Sequence, residues 1–112
     1  MITKSELPPC PVEITLFFVG HKWKILIVRE LLTGTKRFGE LKNSINGISQ
    51  KVLTQNLRLM EHHQLVKRQV YAEIPPRVEY SLTETGKSLK TILDVMFQWG
   101  ASWKDEEDHL KL

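Results

Sequence analysis

The chain has 112 residues, 41% of them hydrophobic, which suits one domain built around one core. Its single cysteine, Cys10, rules out an internal disulfide and a metal cage built from four cysteines. Lys and Arg outnumber Asp and Glu by 16 to 13, and the excess is local: residues 21–71 carry ten basic against three acidic side chains, residues 72–112 five against eight.

From the N-terminus, Pro8-Pro9-Cys10-Pro11 cannot be helix interior, so residues 1–10 read as an arm. Pro11 suits a first helical position, and Val12, Leu16, Phe17 and Val19 then predict a helix over 11–19, ended by Gly20. Trp23, Leu26, Ile27 and Leu31 mark a second amphipathic helix that stops at Thr33-Gly34-Thr35. A short third helix over 37–44 turns Phe38 and Leu41 inward, and Asn46-Gly47 signals a tight turn. Ser49 is an N-cap for a fourth helix over 50–63, in which Leu53, Leu57 and Met60 share one face.

Two β-type runs, 65–71 and 77–82, flank Ala72-Glu73-Ile74-Pro75-Pro76 and predict an antiparallel hairpin. Thr83 caps a last helix, whose Leu89, Ile92, Met96, Trp99 and Trp103 recur at helical spacing with Leu93 and Phe97 beside them. Gly100 is expected to kink or break that helix, and residues 104–112 read as a charged tail. The expectation is therefore a mainly α protein with a small β-hairpin, a winged helix-turn-helix domain over 11–103.

That plan has a geometric logic. An α-helix fits the major groove of B-DNA when a packed core holds its polar face outward. Gln50, Lys51, Thr54, Gln55 and Arg58 supply such a face, with no acidic residue before Glu61. Gln pairs bidentately with adenine and Arg with guanine, and Thr54 has a methyl to set against thymine. Any one of these residues is equally at home as a solvated helix residue; their grouping after a short helix and a tight turn favours base reading. Lys22, Lys24, Lys36, Arg37 and Ser49 lie at helix starts, where side-chain charge and backbone N–H groups hold phosphates. Lys67, Arg68 and Arg77 flank the hairpin and are candidate wing contacts, opposed by Glu73 at the tip.

Six ordered blocks also carry a resemblance. Cys10-Pro11-Val12-Glu13, Gly20-His21-Lys22-Trp23-Lys24, Lys36-Arg37-Phe38-Gly39-Glu40-Leu41, Gly47-Ile48-Ser49-Gln50-Lys51-Val52-Leu53-Thr54, Pro75-Pro76-Arg77-Val78-Glu79-Tyr80 and Leu82-Thr83-Glu84-Thr85-Gly86 together resemble the HxlR-type regulators, a MarR-like winged-helix branch. The resemblance runs from Cys10 to about Trp99, and departs from the family at His21, where a second glycine is common. It implies a homodimeric bacterial transcription regulator in which the helix after Gly47-Ile48-Ser49 reads DNA and the first and last helices form the dimer contact.

The apolar residues of those helices fit that implication independently: Val12, Leu16, Leu89, Ile92, Leu93, Met96, Phe97, Trp99 and Trp103 are more than a small monomer readily covers. Cys10 has two readings. A position ahead of a helix N-terminus favours a reactive thiolate, and the family resemblance implies thiol sensing there with a small thiol-reactive effector; a lone cysteine is also commonly a small buried hydrophobe. His62 and His63 are adjacent and point about 100° apart on a helix, so no metal site is expected. No phosphate loop or nucleophile constellation occurs, so neither a cofactor nor enzyme activity is expected.

The expected partner is double-stranded DNA at a pseudo-palindromic operator. The rival is a winged-helix module that binds protein and not DNA. With no run of about twenty apolar residues and no apolar leader after Met1, a cytoplasmic location without a membrane partner is expected.

Overall fold

In the computed structural model, which describes residues 3–105, Pro11 takes the first position of α1 (Pro11–Val19), where its fixed φ and missing N–H cost nothing. Cys10 is the N-cap, and its carbonyl accepts the N–H of Ile14 at 3.0 Å. After the Gly20-His21 junction, α2 (Lys22–Leu31) buries Lys24, Ile27, Val28 and Leu31 on one side. A two-residue strand, β1 (Lys36–Arg37), leads into α3 (Phe38–Ser44), whose Glu40 carboxylate accepts the Arg37 N–H at 2.9 Å.

The turn to α4 (Gln50–His62) passes through Gly47 at φ 83°, a left-handed conformation that an L side chain would strain. Ser49 then caps α4, its Oγ accepting the N–H of Val52 at 3.1 Å. Leu53, Leu57 and Met60 are buried from this helix. They meet Ile27, Leu41, Ile45 and Leu65 in one core, where each buried aliphatic side chain contributes about 1.5–3 kcal/mol relative to exposure.

The sheet differs from the expected hairpin by one strand. Strands β2 (Val66–Tyr71) and β3 (Arg77–Leu82) pair antiparallel, but β1 also pairs with β3, giving the order β1-β3-β2. Lys36 and Arg37 have no alternating apolar pattern of their own; their pairing to Tyr80 and Glu79 spans more than forty residues of chain and leaves no local trace.

The C-terminal region differs in two further ways. In place of a single helix there are two, α5 (Glu84–Ser88) and α6 (Lys90–Asp105), joined at Leu89. The Leu89 N–H donates to the Gly86 carbonyl at 3.2 Å, a tighter turn that lets the Leu89 side chain drop into the core. Gly100, the expected break, lies inside α6, which runs on unbroken to Asp105. A glycine in a helix interior costs only about 1 kcal/mol relative to alanine, too little to end a helix bonded on both sides. Lys104 and Asp105, read from the sequence as the start of a tail, are the last residues of α6; the rest of that tail lies outside the described residues. The architecture is mainly α with a small antiparallel sheet, the winged helix-turn-helix arrangement.

Candidate nucleic-acid interface

The apolar underside of α4 orients its outer face. With about 100° per residue, Gln50, Lys51, Thr54, Gln55 and Arg58 fall within an arc of roughly 140°, and Leu53, Leu57 and Met60 within a separate arc of about 60° that adjoins it at Gln50. Gln50, Lys51, Gln55 and Arg58 are exposed and Thr54 is half-buried. Asn56 is turned back on its own helix, its Nδ2 donating to the Val52 carbonyl at 2.8 Å. Along this face runs a groove floored by Phe38, Leu57 and Tyr80 and rimmed by Gln50, Thr54, Arg58, Glu61 and Arg68.

The strand register brings further cations to that groove. Tyr80 lies opposite Lys36 on one side and Arg68 on the other, so these three side chains leave the same face of the sheet, the face that also carries the core residues Val66 and Leu82. Lys36 and Arg68 therefore continue the basic face of α4. Lys67 and Arg77 leave the opposite face. The guanidinium of Arg77 is engaged within the wing: it lies 4.0 Å from the centre of the Tyr71 ring and pairs with Glu73 at 3.2 Å and Glu79 at 3.8 Å. Spacing alone could not separate Arg68 from Lys67 and Arg77. Nor could it bring Tyr80 to the groove, although the alternation of a strand, counted from the buried Leu82, holds that information.

Of the cations at helix starts, Lys22 and Arg37 are exposed and Lys36 is half-buried, with the Lys22 ammonium 4.5 Å over the Trp23 ring. Lys24 departs from the expected phosphate contact. It is 5% exposed, because residues 24, 27, 28 and 31 form one stripe of α2 that faces inward. Its Nζ donates to the Phe17 carbonyl at 3.4 Å, and burial lowers its pKa, so it does not stand on the phosphate-facing surface.

A protein-family model described as HxlR-like helix-turn-helix matches residues 18–108. The chain belongs to the HxlR-like helix-turn-helix family. It is 43% identical to the HTH-type transcriptional regulator YdeP of Bacillus subtilis, over 97% of this chain and 85% of that one. Among solved structures it is similar to the HTH-type transcriptional regulator ytcD, with a TM-score of 0.82 and 45% identity over 87% of this chain and 99% of that one. It is similar also to the redox regulator HypR in its oxidized form, with a TM-score of 0.79 and 45% identity over 83% and 96% of the two chains.

In this HxlR-like chain, exposed apolar side chains gather on α1 and α6. On α1, Val12 and Leu16 are exposed, and on α6 so are Val95, Met96, Phe97 and Trp99. Trp103 is half-buried, its ring 6.1 Å from that of Trp99. The apolar stripe read from the sequence divides here: Leu89 is buried in the core of the domain itself, and Ile92 and Leu93 pack against that core, which leaves the outer turns of α6 to face outward. Cys10 is partly exposed, and no cap hydrogen bond is made by its side chain. Among the described residues no three His, Cys, Asp or Glu side chains gather as metal ligands would, and no helix is long and apolar enough to cross a membrane.

Proposed function

We propose that this HxlR-like helix-turn-helix regulator acts as a cytoplasmic homodimer that places its two α4 helices in successive major grooves of a pseudo-palindromic operator, about one helical turn apart. Gln50, Lys51, Thr54, Gln55 and Arg58 read base edges, while Lys22, Lys36, Arg37 and the N-cap at Ser49 hold phosphates. The observation that carries this reading is the outer face of α4, basic, free of carboxylates from Gln50 to Arg58, and held out by buried Leu53, Leu57 and Met60. Arg68 adds charge beside it, whereas Arg77, paired within the wing, stiffens the hairpin. The exposed Val12, Leu16, Met96, Phe97 and Trp99 support a dimer contact through α1 and α6.

The likeness to HypR, a redox regulator, supports a sensing role for Cys10. With one cysteine per chain, the Cys10 thiolate attacks a low-molecular-weight disulfide, forms a mixed disulfide, and releases one small thiolate. At the start of α1 that adduct would disturb the dimer contact and release DNA, so the default action is repression relieved by thiol stress.

The test is selection of bound duplexes from a random pool by the purified full chain, repeated after treatment with glutathione disulfide. A pseudo-palindromic consensus lost on treatment, and retained by Cys10→Ser, is expected. Recovery of no duplex above background would overturn the DNA reading; an unchanged consensus after verified Cys10 modification would overturn the sensing step alone.

A further inference from the structure

The strand register sorts the wing into two unlike faces. Counting outward from the core pair Val66 and Leu82, alternate positions carry Arg68 with Tyr80 and then Val70 with Val78, so the side that holds the basic groove continues outward as hydrocarbon. Val70 is 48% exposed, and Ile74, at the tip, is fully exposed. The opposite side carries the charge, and that charge is engaged internally: Arg77 pairs with Glu73 at 3.2 Å and lies over the Tyr71 ring. From Tyr71 to Arg77 no other side chain is charged, and Pro75 and Pro76 have no N–H to hold a phosphate. The tip is thus neutral, poor in donors and stiffened by two fixed φ angles.

We propose that Ile74 is an apolar wedge that enters the minor groove flanking each half-site and opens one base step, with Val70 and Val78 lying against the deoxyribose of the groove wall. The inference rests on the DNA-reading role proposed above for α4, and adds to it a contact made without charge. Continuity selects DNA as the occupant, because the hydrocarbon ridge begins where the groove rimmed by Gln50, Thr54, Arg58 and Arg68 ends. At about 3.3 Å per residue the tip stands roughly 15 Å beyond Arg68, close to the half-turn of about 17 Å from a major groove to the next minor groove. Isoleucine has no group to hydrogen-bond a base edge, so what it senses is the ease with which a step unstacks, and pyrimidine–purine steps unstack most readily. The wing therefore adds specificity at a flanking position with no contribution to the salt dependence.

The probe is a duplex recovered by the selection described above, with 2-aminopurine placed at each flanking step in turn; its fluorescence rises when the base loses a stacking neighbour. The full wild-type chain is expected to brighten one flanking step at saturation. Ile74→Ala is expected to bind about tenfold more weakly, the scale of one aliphatic side chain left unburied, with an unchanged salt slope and without the brightening. Because Ile74 is exposed in the free chain, this variant is expected to keep the wild-type circular dichroism and urea midpoint. Replacing a flanking TA step with a stiff A-tract is expected to weaken binding by the wild type and to leave that of Ile74→Ala unaltered. Equal affinity of wild type and Ile74→Ala, or no brightening by the wild type at any flanking step, would overturn the wedge and leave the α4 reading standing. Recovery of no duplex in the selection would overturn both.

Discussion

Thr83 Oγ1 donates to the Gln64 carbonyl at 2.6 Å, across nineteen residues of chain, and the same oxygen accepts the N–H of Gly86 at 3.0 Å. One hydroxyl thereby joins the exit of α4 to the start of α5, and the Thr83 N–H reinforces the join by donating to the Leu65 carbonyl at 3.0 Å. The consequence for function is positional, because the wing is held at a fixed place beside α4, the helix proposed to read DNA.

Thr83→Ala removes the cap and strands the Gln64 carbonyl. A loss of about 1–2 kcal/mol is expected, read as a lower midpoint in urea unfolding, while Thr83→Ser keeps both bonds and most of the stability.

Two glycines separate close approach from open space. A Cβ on Gly86 would run into the Leu65 carbonyl and the Leu82 side chain, so Gly86→Ala is expected to destabilise by about 1–3 kcal/mol through overpacking. At Gly100 a Cβ meets nothing within 4 Å, and Gly100→Ala in the interior of α6 is expected to stabilise by up to about 1 kcal/mol. Thermal unfolding of the pair checks both signs.

On DNA, substitutions should sort by face. Gln50→Ala and Arg58→Ala are expected to relax base preference by about 1–3 kcal/mol per lost pair. Lys36→Ala is expected to weaken binding to all sequences and reduce the salt slope by about one. Arg77→Ala should leave the salt slope unchanged, since its guanidinium already serves Glu73, Glu79 and the Tyr71 ring. Fluorescence anisotropy across a salt series measures all four, and a slope that falls for Arg77→Ala as it does for Lys36→Ala would return that residue to the DNA surface.

His63 makes stability depend on pH. Its pKa in the folded chain is lowered, by burial foremost, so below the ordinary histidine value of 6.5 the unfolded chain takes up a proton that the folded chain resists. Stability from this group is complete above that value, is lost as pH falls from it toward the folded pKa, and is level below. Replacing His63 with Gln is expected to flatten the decline between neutral and mildly acidic pH in urea unfolding; a decline of unchanged steepness would show that other groups cause it.

What was legible in the sequence was what is encoded locally. Pro11 and Ser49 mark the starts of α1 and α4, and the spacing of Leu53, Leu57 and Met60 alone separates the buried side of α4 from its outer side. The strands of the hairpin are equally local. What escaped depends on contacts made elsewhere: β1 pairs with Tyr80 and Glu79, and the α5–α6 junction sets Leu89 into the core. The charge of Lys24 points to a phosphate contact, whereas its place in the stripe of residues 27, 28 and 31 assigns it to the inner side of α2. The engagement of Arg77 follows from Tyr71 standing directly opposite it, a register that residue types do not reveal.

The strand order β1-β3-β2 leaves β2 with one flank hydrogen-bonded to β3 and the other open along Val66–Tyr71. Such a flank invites another chain to add to the sheet, and the exposed Lys67, Arg68 and Gln69 repel that addition by charge and hydration. Neutralising Lys67 and Arg68 is thus expected to have an effect that does not depend on nucleic acid: the purified protein should self-associate more readily into extended β aggregates.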